Sequence, residues 1–379
     1  MSLRDTLQHH VDTGALPGAV AVVAGPRGTE VAAVGSADVE GSRPMTEDSL
    51  FRIASLTKPI TAAAVLALVD DGRLALDDPI GRWLPELADP KVVRTPAGPL
   101  DDLVPAKRPI TVSDLLTSQA GWGFASDFSL PAMQALFPVQ IDGREVQHFP
   151  ETDVWVARLG EVPLVYQPGE GWLYDTCSAV QGVLAARVSG ASLPEFLEER
   201  ILAPLGMADT GFVVGADRRD RFTSFYKAGP DGLELADAPD GQWSTMPAMP
   251  LGSGGLAGTA GDWVAFGRML LAEGAAADGK RVLTPESVRL MTTDHTTAAQ
   301  REIGALFLEG QGWGMGGSVD IAALDPWNVP GRYGWVGGTG TSAHIVPATG
   351  TVSVLFTQVG ADSPVVPAWM RDFWQYAAA

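Results

Sequence analysis

The chain has 379 residues, 46% hydrophobic and only 19% charged, enough for about two to three domain-sized units and incompatible with disorder over most of its length. With 26 basic against 45 acidic side chains the net charge is −19, which repels phosphate backbones and excludes a general polyanion-binding role. A single cysteine, Cys177, excludes an internal disulfide and any cysteine-rich metal cluster.

The first residues, MSLRDTLQHHVDTGALPG, show no basic segment followed by an apolar one. The longest clean apolar stretch, Ile60 to Val69, would span about 15 Å as a helix where a bilayer core needs about 30 Å. The expectation is a soluble, cytoplasmic protein with neither a membrane nor a nucleic-acid partner.

In chain order, residues 3–14 predict a helix ending at Gly14, and 19–25 with 29–35 predict a hairpin of small and β-branched residues around Pro26-Arg27-Gly28. Ser55 to Asp71 reads as a strongly apolar helix stopped by Gly72. Further helices should start at Thr111, where Thr111-Val-Ser-Asp114 is a capping box, at Thr259 with Asp262 three residues on, and at Thr284 followed by Pro285. From about 73 to 245 the pattern is mostly helices and long Pro/Gly-rich loops. Residues 342–360 then read as two strands around Pro347-Ala-Thr-Gly350, and 363–377 as a closing helix. Strands at both ends with helices between predict an α/β fold, its antiparallel sheet built from both termini and flanked by helices. Residues 1–75 and 245–379 would form that sheet domain, and 76–244 an inserted, mainly helical one.

Metal chemistry finds no support: the five histidines are scattered, no His-Glu-x-x-His occurs, and no cofactor is expected. The Gly-x-Ser-x-Gly elbow is absent. Gly312 to Gly317 satisfies Gly-x-Gly-x-x-Gly, yet with no strand before it and no helix after it the match reads as a Gly-rich turn. Only five of the 26 basic residues are lysines, the basic type whose pKa can be tuned. One of them completes Ser55-Leu-Thr-Lys58 at a helix start, which puts hydroxyl and amine one turn apart on one face. The apolar helix that follows should lower the Lys58 pKa, and its N-terminal amides should face a developing oxyanion. A serine N-cap with a solvated lysine would show the same four letters, so context must decide. Ser224-Phe-Tyr-Lys227 is the control: it lies in a predicted hairpin around Pro230-Asp-Gly232, where positions three apart point to opposite faces.

That context comes from longer segments. FRIASLTKPITAAAVLALVDDGRLALDDPIGRWLPEL (51–87), ITVSDLLTSQAGWG (110–123), LAPLGMADTGF (202–212) and GSGGLAGTAGDWVAFGRMLLAEG (252–274) resemble, in order, segments of the serine β-lactamase and penicillin-binding-protein superfamily. The resemblance covers nearly the whole chain and is closest to class C β-lactamases and family VIII carboxylesterases. It implies a β-lactamase/transpeptidase-like fold and a serine nucleophile at Ser55. Tyr174-Asp175-Thr176 matches the family's Tyr-x-Asn motif in its tyrosine alone, which implies that Tyr174 works with Lys58 as general base and acid. Trp335-Val336-Gly337 stands where β-lactamases carry Lys-Thr-Gly, in the Trp-x-Gly form of family VIII esterases. An indole cannot pair with the carboxylate of a β-lactam or a D-Ala-D-Ala peptide, so neutral, short-chain esters are the expected substrates. By the same resemblance the backbone amides of Ser55 and Gly338 would form the oxyanion hole, with Trp335 and Gly337 beside the substrate. Trp122, Phe124, Phe128 and Phe137 either line an apolar acyl or alcohol pocket or pack the helical region. The alternatives on the same residues are a β-lactamase or D-alanyl-D-alanine carboxypeptidase, an acyltransferase and, remotely, a non-catalytic binding module.

Overall fold

Helix α1 (Leu3–Asp12) begins where Ser2 and Asp5 cap each other's backbone amides, and its buried face is Leu3, Thr6, Leu7 and His10. The computed structural model describes residues 2–361 and 366–379. After α1 the chain enters β1 (Gly18–Gly25), turns at Pro26-Arg27 and returns as β2 (Gly28–Gly35), the predicted hairpin in full register. Five more strands come from the other end of the chain: β3 (Gly312–Trp313), β4 (Ser318–Val319), β5 (Tyr333–Gly337), β6 (Thr341–Val346) and β7 (Thr351–Thr357). They join the hairpin in one seven-stranded sheet of order β2-β1-β7-β6-β5-β4-β3, antiparallel throughout. The two termini are stitched by β1 against β7, with Ala19 opposite Thr357 and Ala24 opposite Val352.

Alternation along β1 assigns the layers, because successive side chains leave a strand on opposite faces. Ala19 and Ala21 pack with Leu3 and Leu7 of α1 and with Met370 and Phe373 of α5 (Ala368–Ala378). Val20, Val22 and Ala24 face the larger core, which holds α2 (Thr57–Asp70), α3 (Thr176–Ser189) and α4 (Ala260–Leu271). Part of the predicted closing helix, 363–365, falls outside the described residues; the helix runs from Ala368.

Helix α2 is apolar on every side rather than on one stripe, so every residue from Thr57 to Leu68 is buried. Its predicted first turn is 3₁₀ instead: Ala54–Leu56 forms a separate short turn, with Ala54 at φ +44°, and Ser55 sits inside it. Gly72, at φ +68°, ends the helix as its position predicts. The helices at Val112–Leu116 and Pro285–Met291 begin at the predicted caps, Thr111 and Thr284. The middle of the chain also holds two small hairpins, Lys91–Val93 with Leu103–Pro105 and Phe225–Gly229 with Gly232–Asp237; the second keeps Ser224 and Lys227 out of any helix. No helix among the described residues is long and apolar enough to cross a membrane.

Candidate active site

The 3₁₀ turn that carries Ser55 is clamped to the sheet rather than left at the end of a free loop. Thr339 Oγ1 donates to Arg52 O (2.5 Å) and Thr341 Oγ1 to Ile53 O (3.1 Å), so the β5–β6 turn holds the backbone just before the serine. A Cβ on Gly337 would lie 2.1 Å from Thr341 Oγ1 and 2.6 Å from Ile53 O, so only glycine lets β5 come this close. From the other side, Thr61 Oγ1 donates to Gly252 O and Thr57 Oγ1 accepts from Leu256 N, tying the 252–256 segment along α2.

Tyr174 arrives on a third connection. It pairs with Phe124 as an isolated antiparallel bridge, N–H to O in both directions at 3.0 and 2.9 Å. Gly123 at φ +134° permits the bridge, because a Cβ there would strike Tyr174 O at 2.4 Å.

These three connections converge on Ser55 Oγ. Lys58 Nζ donates to it at 2.8 Å, and Tyr174 Oη lies 2.8 Å away on another side. Trp335 Nε1 donates in turn to Tyr174 Oη at 2.8 Å. Lys58 has no exposed surface and spends its other two protons on Ser253 O (2.7 Å) and Asp175 Oδ1 (2.7 Å). The amides of Ser55 and Gly338 donate to no protein acceptor among the described residues, and Gly338 opens onto space, with nothing within 4 Å of the Cβ position.

The sign predicted for Lys58 is reversed. Burial alone lowers its pKa and is the largest single influence, but the Asp175 carboxylate and Tyr174 together outweigh it and hold the ammonium above its ordinary range. The apolar helix alone favours a lowered pKa; the carboxylate that reverses it is brought in from position 175 by the turn before α3.

A cavity of about 620 Å³ opens above Ser55. Phe124, Phe128, Phe137 and Phe307 form an aromatic wall, and Trp335 to Gly338 and Ser253-Gly254 line the cavity as well. Phe124, Phe128 and Phe137 stack with centroids 5.5–6.3 Å apart, and Phe307 lies on the Tyr174 ring at 4.9 Å. Trp122 is not part of it: the indole is buried in the core and donates Nε1–H to Val162 O, so of its two readings the packing one holds. Arg144 reaches the cavity's edge engaged by Asp142, Nε to Oδ1 at 3.0 Å and Nη2 to Oδ2 at 2.7 Å. The Gly312–Gly317 segment is a hairpin turn between β3 and β4, closed by Gly314 N–H to Gly317 O, and Gly316 packs on the backbone of Lys58.

Asp175, Gln140, Ser253 and Phe307 were not singled out from sequence. Asp175 sits at the variable middle position of the Tyr-x-Asn match, which carries no residue signal of its own. Thr176, at the third position, is fully buried and its hydroxyl meets no partner among the described residues.

Comparison with known proteins agrees with the geometry. The profile of the β-lactamase family matches residues 3–373. Protein Rv1367c of Mycobacterium tuberculosis is 40% identical over 356 residues, covering 92% of this chain and 87% of that protein. Esterase EstB of Burkholderia gladioli is 33% identical over 383 residues, covering 94% and 90%. Among solved structures, EstCE1, described as a hydrolase with promiscuous acyltransferase activity, superposes with a TM-score of 0.82 at 24% identity over 98% of this chain and 97% of its own, a likeness of fold. The chain belongs to the β-lactamase family, as a serine hydrolase of the β-lactamase and penicillin-binding-protein fold.

Proposed function

We propose that this chain is a carboxylesterase that cleaves neutral esters through an acyl-enzyme on Ser55. The observation that carries the proposal is Ser55 Oγ held at 2.8 Å from both Lys58 Nζ and Tyr174 Oη at the floor of an apolar cavity. Ser55 attacks the ester carbonyl, and its proton passes to the Lys58/Tyr174 pair and from there to the leaving alcohol. The amides of Ser55 and Gly338, unpaired among the described residues, receive the oxyanion. Water then attacks the acyl carbonyl, gives its proton to the same pair, and Ser55 recovers it as the acid leaves.

Preference for neutral esters rests on charge. Trp335 directs its one N–H at Tyr174, and Arg144 is engaged by Asp142, so the cavity wall offers a carboxylate little that is not already committed. Esterase EstB, similar over nearly the whole chain, supports the ester over the amide. A short acyl chain fills a small part of about 620 Å³, and the phenylalanine wall favours an apolar group on one side of the ester. The same apolar wall suits an acceptor alcohol in place of water, which is the acyl-transfer variant; EstCE1 is described with that activity.

The test is an ester panel from acetate to decanoate and aryl esters, run beside nitrocefin. Ser55→Ala should lose at least about three orders of magnitude in kcat on every ester. A Ser55→Ala enzyme at wild-type rate ends the proposal, and nitrocefin turnover matching the best ester moves the substrate class to β-lactams.

A further inference from the structure

Two consecutive residues, Tyr174 and Asp175, both reach Lys58, which ordinary extended or helical backbone does not allow neighbours to do. The backbone explains it. Asp175 has φ +79° and ψ −64°, and Thr176 N–H donates to Tyr174 O at 3.2 Å, a three-residue γ-turn with a positive central φ. That conformation is strained for any residue with a Cβ and persists only where its surroundings over-determine it. Here they do: Asp175 Oδ1 takes the Lys58 ammonium at 2.7 Å, and Oδ2 accepts from buried Gln140 Nε2 at 2.7 Å.

We propose that Asp175, braced by Gln140, is a positioning residue that keeps Lys58 a fully engaged ammonium and thereby makes Tyr174 the group that carries the Ser55 proton.

Hydrogen counting supports this division of labour. An ammonium has three donors, and Ser55 Oγ, Ser253 O and Asp175 Oδ1 take them, with the Tyr174 oxygen close by as a fourth acceptor. No donor is left over and no lone pair is offered. Tyr174 Oη already receives the Trp335 N–H, so one further hydrogen fits between it and Ser55 Oγ. In acylation the Ser55 hydroxyl hydrogen passes to Tyr174 Oη as the Oγ–carbonyl bond forms, and in a concerted relay the hydrogen that the phenol itself carried passes to the departing alkoxide as the carbonyl–alkoxide bond breaks. Lys58 ends each half-reaction with the three protons it began with. The carboxylate beside it raises its pKa against the opposing effect of burial, in keeping with that role. The charged and titratable groups facing this cluster are Asp175 and Tyr174 from the turn before α3, the buried Cys177 thiol in the first turn of α3 and, at the cavity edge, the Asp142–Arg144 pair.

Two substitutions separate this from a structural role. Asp175→Asn keeps the Oδ1 acceptor and tolerates positive φ but removes the charge. It should lower kcat/KM for p-nitrophenyl butyrate about 100-fold and move the alkaline limb of its pH profile down by about one unit or more, because Lys58 loses the charge that keeps it protonated. Asp175→Gly relaxes the turn, so it should fold as well as the wild type and be at least as impaired. An Asp175→Gly enzyme with wild-type activity overturns the proposal, as does an Asp175→Asn enzyme with an unshifted limb or with raised activity at pH 7, where a released Lys58 would be serving as the base. Because this role presupposes the acyl-enzyme on Ser55, Ser55→Ala and a fluorophosphonate probe are run alongside. Loss of labelling in Ser55→Ala with an unmoved Asp175→Asn profile rejects Asp175 alone, whereas an active, unlabelled Ser55→Ala rejects the nucleophile.

Discussion

Lys58 shows how far one carboxylate can turn the chemistry of a buried amine. Alone in an apolar helix it would be pressed toward the neutral form; beside Asp175 its pKa rises above the ordinary 10.5, although desolvation remains the largest single influence. A group whose pKa is higher in the folded state stabilises fully below its unfolded value, and that contribution disappears as pH climbs through the folded one. Lys58 therefore adds no slope to stability between pH 6 and 9, and its contribution falls away only above about 10.5. Thermal melts from pH 7 to 11 should show a steeper alkaline loss for the wild type than for Lys58→Met. Equal slopes would mean that the ion pair is not what raises the lysine. The serine, lysine and tyrosine were legible as residue types at expected places; the ionisation state of the lysine was not, since it depends on a side chain 117 positions away that a γ-turn swings into contact.

At the scale of elements, the short strand Phe51–Arg52 that leads into the Ser55 turn is anchored from below. Arg52 donates to Asp237 Oδ2 through Nε (2.7 Å) and Nη2 (2.5 Å), to Thr223 O through Nη1, and its guanidinium lies 4.1 Å from the Phe222 ring centre. Burial nonetheless pushes Arg52 down to about 10, so desolvation outweighs what Asp237 returns. A buried pair of this kind is costly to break and cheap to replace. Arg52→Met alone should destabilise by about 3–5 kcal/mol in urea titrations by stranding the Asp237 charge, and Arg52→Met with Asp237→Leu should recover most of it. A double variant no better than the single one would show that the pair, rather than its packing, holds the strand. The elements themselves were the most readable part of the chain. The β1–β2 hairpin, the caps at Thr111, Thr259 and Thr284, and the stop at Gly72 each follow from local chemistry. The 3₁₀ start of α2 was not readable, because it is imposed by hydroxyls of Thr339 and Thr341 from the far end of the sequence.

At the scale of the whole molecule, the sheet's order places β1 between β2 and β7, so neither end of the chain can complete the core without the other. Strand-like segments at both termini made that closure legible from sequence alone. The aromatic wall was half legible for the same reason in reverse: Phe124, Phe128 and Phe137 lie close in sequence, while Phe307 comes from beyond α4 and Trp122 turns into the core. The single cysteine lies at this crossing. Cys177 stands in the first turn of α3, three residues beyond Tyr174, with no exposed surface, its Sγ 4.0 Å from Trp122 O, and burial pushes its thiol up to about 12. Closed, it is invisible to a thiol reagent; open, it reacts as any free cysteine would. Its modification rate relative to a free thiol is thus a clock for the excursions that part α3 from the Trp122 segment, and it converts directly into the free energy of that opening when closure outpaces labelling. A fluorophosphonate adduct on Ser55 should slow the clock, and an unchanged rate would mean that the tyrosine's support breathes independently of what the cavity holds.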